Sequence, residues 1–279
     1  AAPAPLPAGA VVPTGSRRRC EFCGRLLHYE PPVMACACCA PATAGVAAAA
    51  GRAPRIACLM QLRNEARCLE GCLAHLRGYV DGIVALDDGS TDATSSILGR
   101  EAGLADCLAN PVRDEHVWRE RENQLRLLRR ARELGFDWAL CCDADERYET
   151  RFLENLKAIA ASFPSRELPC LTVDLRELWE DPHHYRVDGI WGRKTRARFF
   201  RLPAAIDLEH GQELHGQWYP DEVRAHGRML RTRYQLYHLK SIRREDRLRR
   251  RDFYNALDPA KRSQLGAHYT DPATIERTV

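Results

Sequence analysis

The sequence predicts an α/β fold, a parallel sheet flanked by helices, with a small cysteine-rich module in front of it. Short apolar runs alternate with segments of helical periodicity from Arg55 onward, which is the pattern of parallel strands joined by crossover helices. Successive apolar runs end in RNE, DDGSTD and DADE, and ligands of such sheets sit beyond the carboxyl ends of the strands. Two Cys-x2-Cys pairs lie near the amino end.

Composition sets the frame. The chain has 279 residues, 45% hydrophobic and 29% charged, which suits one large globular domain with or without an appendage. No apolar run approaches the roughly 18 residues of a membrane helix. A net charge of +4 is too small to imply nucleic acid on its own. The twelve cysteines do not follow a secreted disulfide spacing, and several sit inside apolar runs such as LCCD and PCLTV. That usage fits a reduced, cytoplasmic setting, with peripheral membrane association left open.

Residues 1–17 read as a disordered leader. Residues 18–42 hold Cys20 and Cys23, then Cys36 and Cys39 after twelve intervening residues, with Cys38 spare. Two such turns present four thiolates to one tetrahedral point, a structural Zn²⁺ site of the zinc-ribbon kind, with room for one short hairpin between them. A closed four-sulfur site implies a docking module rather than chemistry, so a protein partner is one use for it. Residues 43–53, rich in Ala and Gly, read as a linker.

The main domain then runs from 54 to 258, with 259–279 as a tail. RIACLMQL reads as a buried strand, followed by a helix that Asn64 caps and whose apolar face is Leu69, Cys72, Leu73, Leu76 and Val80. GIVAL is a second strand, and DDGSTDATSSILGRE a turn entering a capped helix. HVWRERENQLRLLRRAREL is a basic amphipathic helix that Gly135 terminates, and WALCC is the next strand. Beyond residue 165 the strands PCLTVDLREL, RARFFRL, QWYP and RYQLYHLK are expected, then a charged helix, REDRLRRRDFYNAL, whose mixed signs read as a solvated face.

The acids carry the chemistry. Asp143 and Asp145 form an Asp-x-Asp pair at the end of a core strand, where an unpaired carboxylate is costly. A divalent cation would relieve their repulsion and keep open positions for phosphate oxygens. Asp87 and Asp88 suit hydrogen bonds to ribose hydroxyls or a base N–H. The chain has neither a G-x-G-x-x-G nor a P-loop signature, which leaves the phosphates to a metal.

CLMQLRNEARCLEGCLAHLRGYVDGIVALDDGSTDAT, followed about fifty residues later by WALCCDADER, resembles the family 2 glycosyltransferases. The resemblance implies the GT-A fold, a Rossmann-like mixed sheet flanked by helices, and inverting transfer from a nucleotide-diphosphate sugar with Mn²⁺ or Mg²⁺. It implies nucleotide contacts from Glu65, Asp87, Asp88, Arg121, Asn123 and Asp143, and metal contacts from Asp143 and Asp145. LHG and YHLK are similar to two His positions of the family, which makes His238 the candidate third metal ligand and gives His215 an acceptor or metal role. Inverting transfer needs a general base; among Asp207, Glu209 and Glu213, the last lies beside the His motif and is the candidate. Arg193, Lys194 and Arg196 are basic side chains that could assist the leaving diphosphate or simply decorate a strand edge. No QxxRW motif is present, which argues against a processive membrane synthase. The acceptor stays open: glycan, lipid or protein. Two other classes compete, a sugar-nucleotide-binding scaffold without turnover and a zinc-ribbon nucleic-acid-binding protein; the latter lacks stacking aromatics among the basic residues 243–251.

Overall fold

A computed structural model describes residues 28–30, 33–35, 52–113, 119–188, 191–209, 216–257 and 275–277. Its centre is an eight-stranded mixed sheet. Strand β3 (Ile56–Leu62) pairs in parallel with β4 (Gly82–Asp88) on one side and β6 (Trp138–Cys141) on the other, and β5 (Leu104–Asn110) extends β4 in parallel. Beyond β6 the direction reverses. β10 (Thr195–Arg201) runs antiparallel to β6 and to β8 (Pro169–Glu177), β11 (Arg228–His238) runs parallel to β8, and the short β7 (Glu146–Tyr148) closes the far edge against β11. The expected mixed α/β sheet is therefore present. A separate hairpin pairs β1 (His28–Glu30) with β2 (Val33–Ala35), and β9 (His184–Arg186) pairs with β12 (Ile275–Arg277).

Alternation along β3 divides its side chains between two cores. Ile56, Cys58, Met60 and Leu62 face α1 (Ala66–Leu76) and α4 (Thr150–Ser162), while Ala57 and Leu59 face α3 (Glu120–Glu133). Helix α1 buries Leu69, Cys72, Leu73 and Leu76 of the expected stripe, but it ends at Leu76, so Val80 lies beyond it and is only half-buried. Each fully buried Leu, Ile or Phe contributes about 1.5–3 kcal/mol, so the sheet is held from both faces and its strand ends are fixed points. Gly135 ends α3 at φ +75°, as expected of a residue in that place.

The structure departs from the local expectations at four further places. Asn64 is not the cap of α1: it sits at φ +54°, and Glu65 holds the cap position. QWYP forms no strand, because Trp218 is buried in the second core and Pro220 leads into helix α5 (Asp221–His226). Strand β5 was not anticipated; its residues alternate between half-buried and exposed, and the small Ala105 and Ala109 carry little strand signal. The final helix, α6 (Arg244–Leu257), is where it was expected, yet Asp246 and Arg247 are buried rather than solvated.

Candidate active site

The parallel strands β3, β4 and β6 deliver RNE, DDGSTD and DADE to one edge of the sheet, and the first two loops lock together. The backbone N–H of Asn64 donates to Ser90 Oγ at 3.0 Å, that of Glu65 to Thr94 Oγ1 at 2.9 Å, and that of Ala66 to Asp92 Oδ2 at 3.1 Å. The amides at the start of α1 are thus satisfied by the neighbouring loop instead of a local cap. Asn64 returns the contact by accepting from Thr91 N–H at 2.7 Å. Asp87 is buried and turned into its own loop, where it accepts from Ser90 N–H at 2.9 Å and from the Ser95 hydroxyl. Its carboxylate therefore shapes the turn.

Asp88 belongs to a different group. Asn110, at the end of β5, donates through Nδ2 to Asp88 Oδ1 at 2.6 Å and to Asn123 Oδ1 at 3.0 Å. Asn123 is fully buried on α3, and its own Nδ2 meets no acceptor among the described residues. A buried amide without a partner costs on the order of 1–3 kcal/mol, which a bound polar ligand would recover. Arg121, two residues earlier in the helix, reaches the Glu209 carbonyl at 3.4 Å. Asn110 was not singled out from sequence, since an Asn ending an unrecognised strand has no distinguishing pattern.

The DADE turn answers how a core strand can end in acids. Glu146 is buried and structural: its Oε2 accepts from Asp143 N–H at 3.0 Å, and its Oε1 is 2.6 Å from Arg198 Nη2. The same Arg198 nitrogen lies 3.0 Å from Asp143 Oδ2. Asp145 is 3.2 Å from His238 Nε2 and 3.6 Å from Arg250 of α6. On the other side of the imidazole, Nδ1 is 3.3 Å from Glu177 Oε2, and Glu177 in turn lies 3.3 Å from Lys240 and 3.7 Å from Lys194. Arg198, Glu177, Lys240 and Arg250 were not assigned roles from sequence. Lys194 was, and it is engaged with Glu177 and with the Trp191 ring, whose centroid is 3.6 Å away.

The electrostatics follow from this packing. Burial opposes ionisation of Asp145, yet His238, Arg250 and Lys240 hold its carboxyl well below the usual range. His238 rises to about 9: burial and Lys240 work against the charged ring, and Asp145 and Glu177 outweigh them. Lys194 falls to about 8, chiefly through burial. Glu65 is pushed up to about 8, first by burial and then by repulsion from Asp145 and Asp143. Glu65 thus stands within electrostatic reach of both aspartates and does not ionise readily beside them.

Among the described residues no three His, Cys, Asp or Glu side chains form a ready cluster for a metal ion. The donor types nevertheless fit a divalent cation. Carboxylates at Asp143 and Asp145 beside the imidazole of His238 suit Mn²⁺ or Mg²⁺, the Asp143 side chain is 41% exposed, and the elevated Glu65 marks a place where added positive charge would be stabilising. Glu213, His215 and the zinc-ribbon cysteines Cys20, Cys23, Cys36 and Cys39 lie outside the described residues.

Residues 58–212 match the model for Glycosyl transferase family 2. The chain belongs to that family. It is also similar to the uncharacterised proteins Rv3786c of Mycobacterium tuberculosis and Mb3815c of Mycobacterium bovis, each 27% identical over 221 residues. Those alignments cover 77% of this chain and 53% of each relative, so the chain spans about half the length of the curated relatives it matches. Solved structures that resemble this family member include S. aureus TarS, with TM-score 0.46, 14% identity and coverage of 77% of this chain and 41% of that one. Mannosyltransferase PcManGT from Pyrobaculum calidifontis, solved with GDP-Man and Mn²⁺, gives TM-score 0.43, 18% identity and coverage of 78% and 70%.

Proposed function

We propose that this family 2 chain is a metal-dependent inverting glycosyltransferase that moves a sugar from a nucleotide-diphosphate donor to an acceptor hydroxyl. The observation that carries the reading is the arrival of acids at neighbouring strand exits, Glu65 after β3 and Asp143 and Asp145 after β6, with Asp145 3.2 Å from His238 of β11 and with Asp88, Asn110 and Asn123 grouped at the exits of β4 and β5. The second group is suited to the polar edges of a nucleoside, to which Asn123 Nδ2 can donate. The first would hold Mn²⁺ or Mg²⁺ through Asp143, Asp145 and His238, and the cation would stabilise negative charge on the departing diphosphate.

The chain's own residues supply the rest. Glu213 is proposed as the base that takes the acceptor proton as the hydroxyl oxygen attacks the anomeric carbon from the face opposite the leaving group. Arg250, 39% exposed beside Asp145, is a cation available to the diphosphate as it departs. For the amino-terminal segment we keep structural Zn²⁺ at Cys20, Cys23, Cys36 and Cys39. The β1–β2 hairpin between the two cysteine pairs supports that arrangement, and one zinc per chain by elemental analysis is the expected result.

A thermal-shift panel of UDP-, GDP- and dTDP-sugars, with and without Mn²⁺, tests the donor reading. One nucleotide sugar should raise the melting temperature in a metal-dependent manner, and slow hydrolysis of it should fall roughly 10²–10³-fold in Asp145→Ala. No shift by any of these donors under Mn²⁺ would overturn the proposal. A shift without hydrolysis or transfer would leave a binding protein instead of an enzyme.

A further inference from the structure

Strand β8 presents Leu171, Val173 and Leu175 to the first core, and Glu177 occupies the next position of the same row. Strand β11 does the same with Leu230, Tyr234 and Leu236, and His238 is next in that row. The two strands run parallel with His238 opposite Glu177, while on the other flank His238 is opposite Glu146 of β7. Two apolar rows therefore end side by side in a carboxylate and an imidazole, held on three adjacent strands of one sheet.

Glu177 is fully buried. Neither of its oxygens meets an aligned hydrogen-bond donor among the described residues, and His238 Nδ1 likewise lacks an aligned acceptor, although the ion-pair separation is 3.3 Å. A carboxylate so placed is costly unless it is compensated. Its compensation comes from His238, Lys240 and Lys194, and His238 also lies 3.2 Å from Asp145. A ligand imidazole whose second nitrogen faces a carboxylate has its tautomer and ring plane set by that carboxylate.

We propose that Glu177 is a positioning residue that fixes the His238 ring through Nδ1, so that Nε2 is presented to Asp145 and to the divalent cation the site would take. The inference rests on the proposed metal role of His238 and concerns a residue that does not itself touch donor or cation. Lys240 and Lys194 lie 3.3 and 3.7 Å from Glu177, and the parallel register keeps it level with the ring. Glu177→Gln retains the shape of the side chain and removes the charge that orients Nδ1–H.

The experiment uses the full chain labelled with ¹⁵N-histidine, the His238 ring signals being identified by their loss in His238→Gln. In Glu177→Gln the His238 nitrogen shifts should move, and the dissociation constant for Mn²⁺ alone, from the free-ion EPR signal, should weaken roughly 10–100-fold. His238 signals that do not respond to Glu177→Gln would overturn the proposal, and so would an unchanged Mn²⁺ affinity in a variant whose signals have moved. If Glu177→Gln does not fold, Glu177→Gln combined with Lys240→Met removes a charge pair in balance and is read the same way. A wild-type chain that binds no Mn²⁺ defeats the metal reading; the His238 signals then decide the positioning role by themselves, and the nucleotide-sugar panel decides the donor separately.

Discussion

The two halves of the sheet contribute unequally to the charge of one site, most of its acids from one and most of its cations from the other. The parallel half, β3 to β6, supplies acids: Glu65, Asp87, Asp88, Asp143, Asp145 and Glu146 all stand at or beside its strand exits. The half built from β8, β10, β11 and α6 supplies most of the compensation, with Arg198 against Asp143 and Glu146, His238 and Arg250 against Asp145, and Lys240 and Lys194 around Glu177. The acids come as contiguous motifs because each lies on one turn. Their partners come singly from distant strands, because only the completed sheet brings them into reach. A strand that ends in acids is thus tolerable through the second half of the fold, whether or not a cation is also bound.

The sharpest way to break this division is to remove a single cation from the second half. Arg198 is almost wholly buried and pairs two acids. Arg198→Met should destabilise the domain by roughly 3–5 kcal/mol, since it leaves Glu146 buried without a counter-charge. Adding Glu146→Gln should recover much of that loss, with urea unfolding as the measurement. If the single variant costs no more than an exposed arginine would, the acids are compensated by something other than this partner.

This division also governs what could be read beforehand. Parallel strands, the helix stripe of Leu69 to Leu76 and the Asp-x-Asp turn are encoded locally, by periodicity and by adjacent residues, and they are present in the fold. Arg198 was hidden by a register shift between Ala197 and Phe199 where β10 meets β8. An alternation count through RARFFR cannot tell that the bulged residue turns to the acids. Glu177 is a different case, because the row Leu171, Val173, Leu175 pointed to it, and a charged residue closing an apolar row is a signal available from sequence. Asp246 and Arg247 show the limit of charge patterning: α6 packs over the site, and Arg67 of α1 meets Asp246 at 2.6 Å.

Within the first half, the proposed function assigns shape to Asp87 and recognition to Asp88. Asp87→Ala should cost about 1–3 kcal/mol, because Ser90 N–H and the Ser95 hydroxyl lose their acceptor. Asp88→Ala should lower stability less and donor affinity more. Comparing melting temperatures with donor binding for the two variants sharpens the contrast; equal effects on both measures would merge their roles.

A smaller effect is expected from pH. The folded-state value of Glu65, about 8, lies above its ordinary value of 4.5. The folded chain therefore binds more protons than the unfolded chain between those limits, and stability is lost as pH rises through the window. His238, raised to about 9 from 6.5, extends the same sign of dependence to higher pH. In chelator, Glu65→Gln should flatten the decline of melting temperature most between pH 5 and 6.5 and leave the decline that His238 contributes above that range. An unchanged profile would mean that Glu65 does not share the place of Asp143 and Asp145.

The smallest expected change tests the seam between the first two loops. Asn64 adopts φ +54° and its side chain accepts from Thr91 N–H at 2.7 Å. Asn64→Gly keeps the backbone angle without strain but deletes that acceptor, whereas Asn64→Ala deletes the acceptor and adds the left-handed penalty of about 1–2 kcal/mol. The two variants should therefore rank Ala below Gly in thermal melts, with the gap set by backbone strain and the loss in Gly set by the hydrogen bond. Because Ser90, Asp92 and Thr94 still cap the start of α1, the glycine variant should retain donor binding. Loss of binding in Asn64→Gly would mean that this single contact, and not the three caps, holds Glu65 at the site.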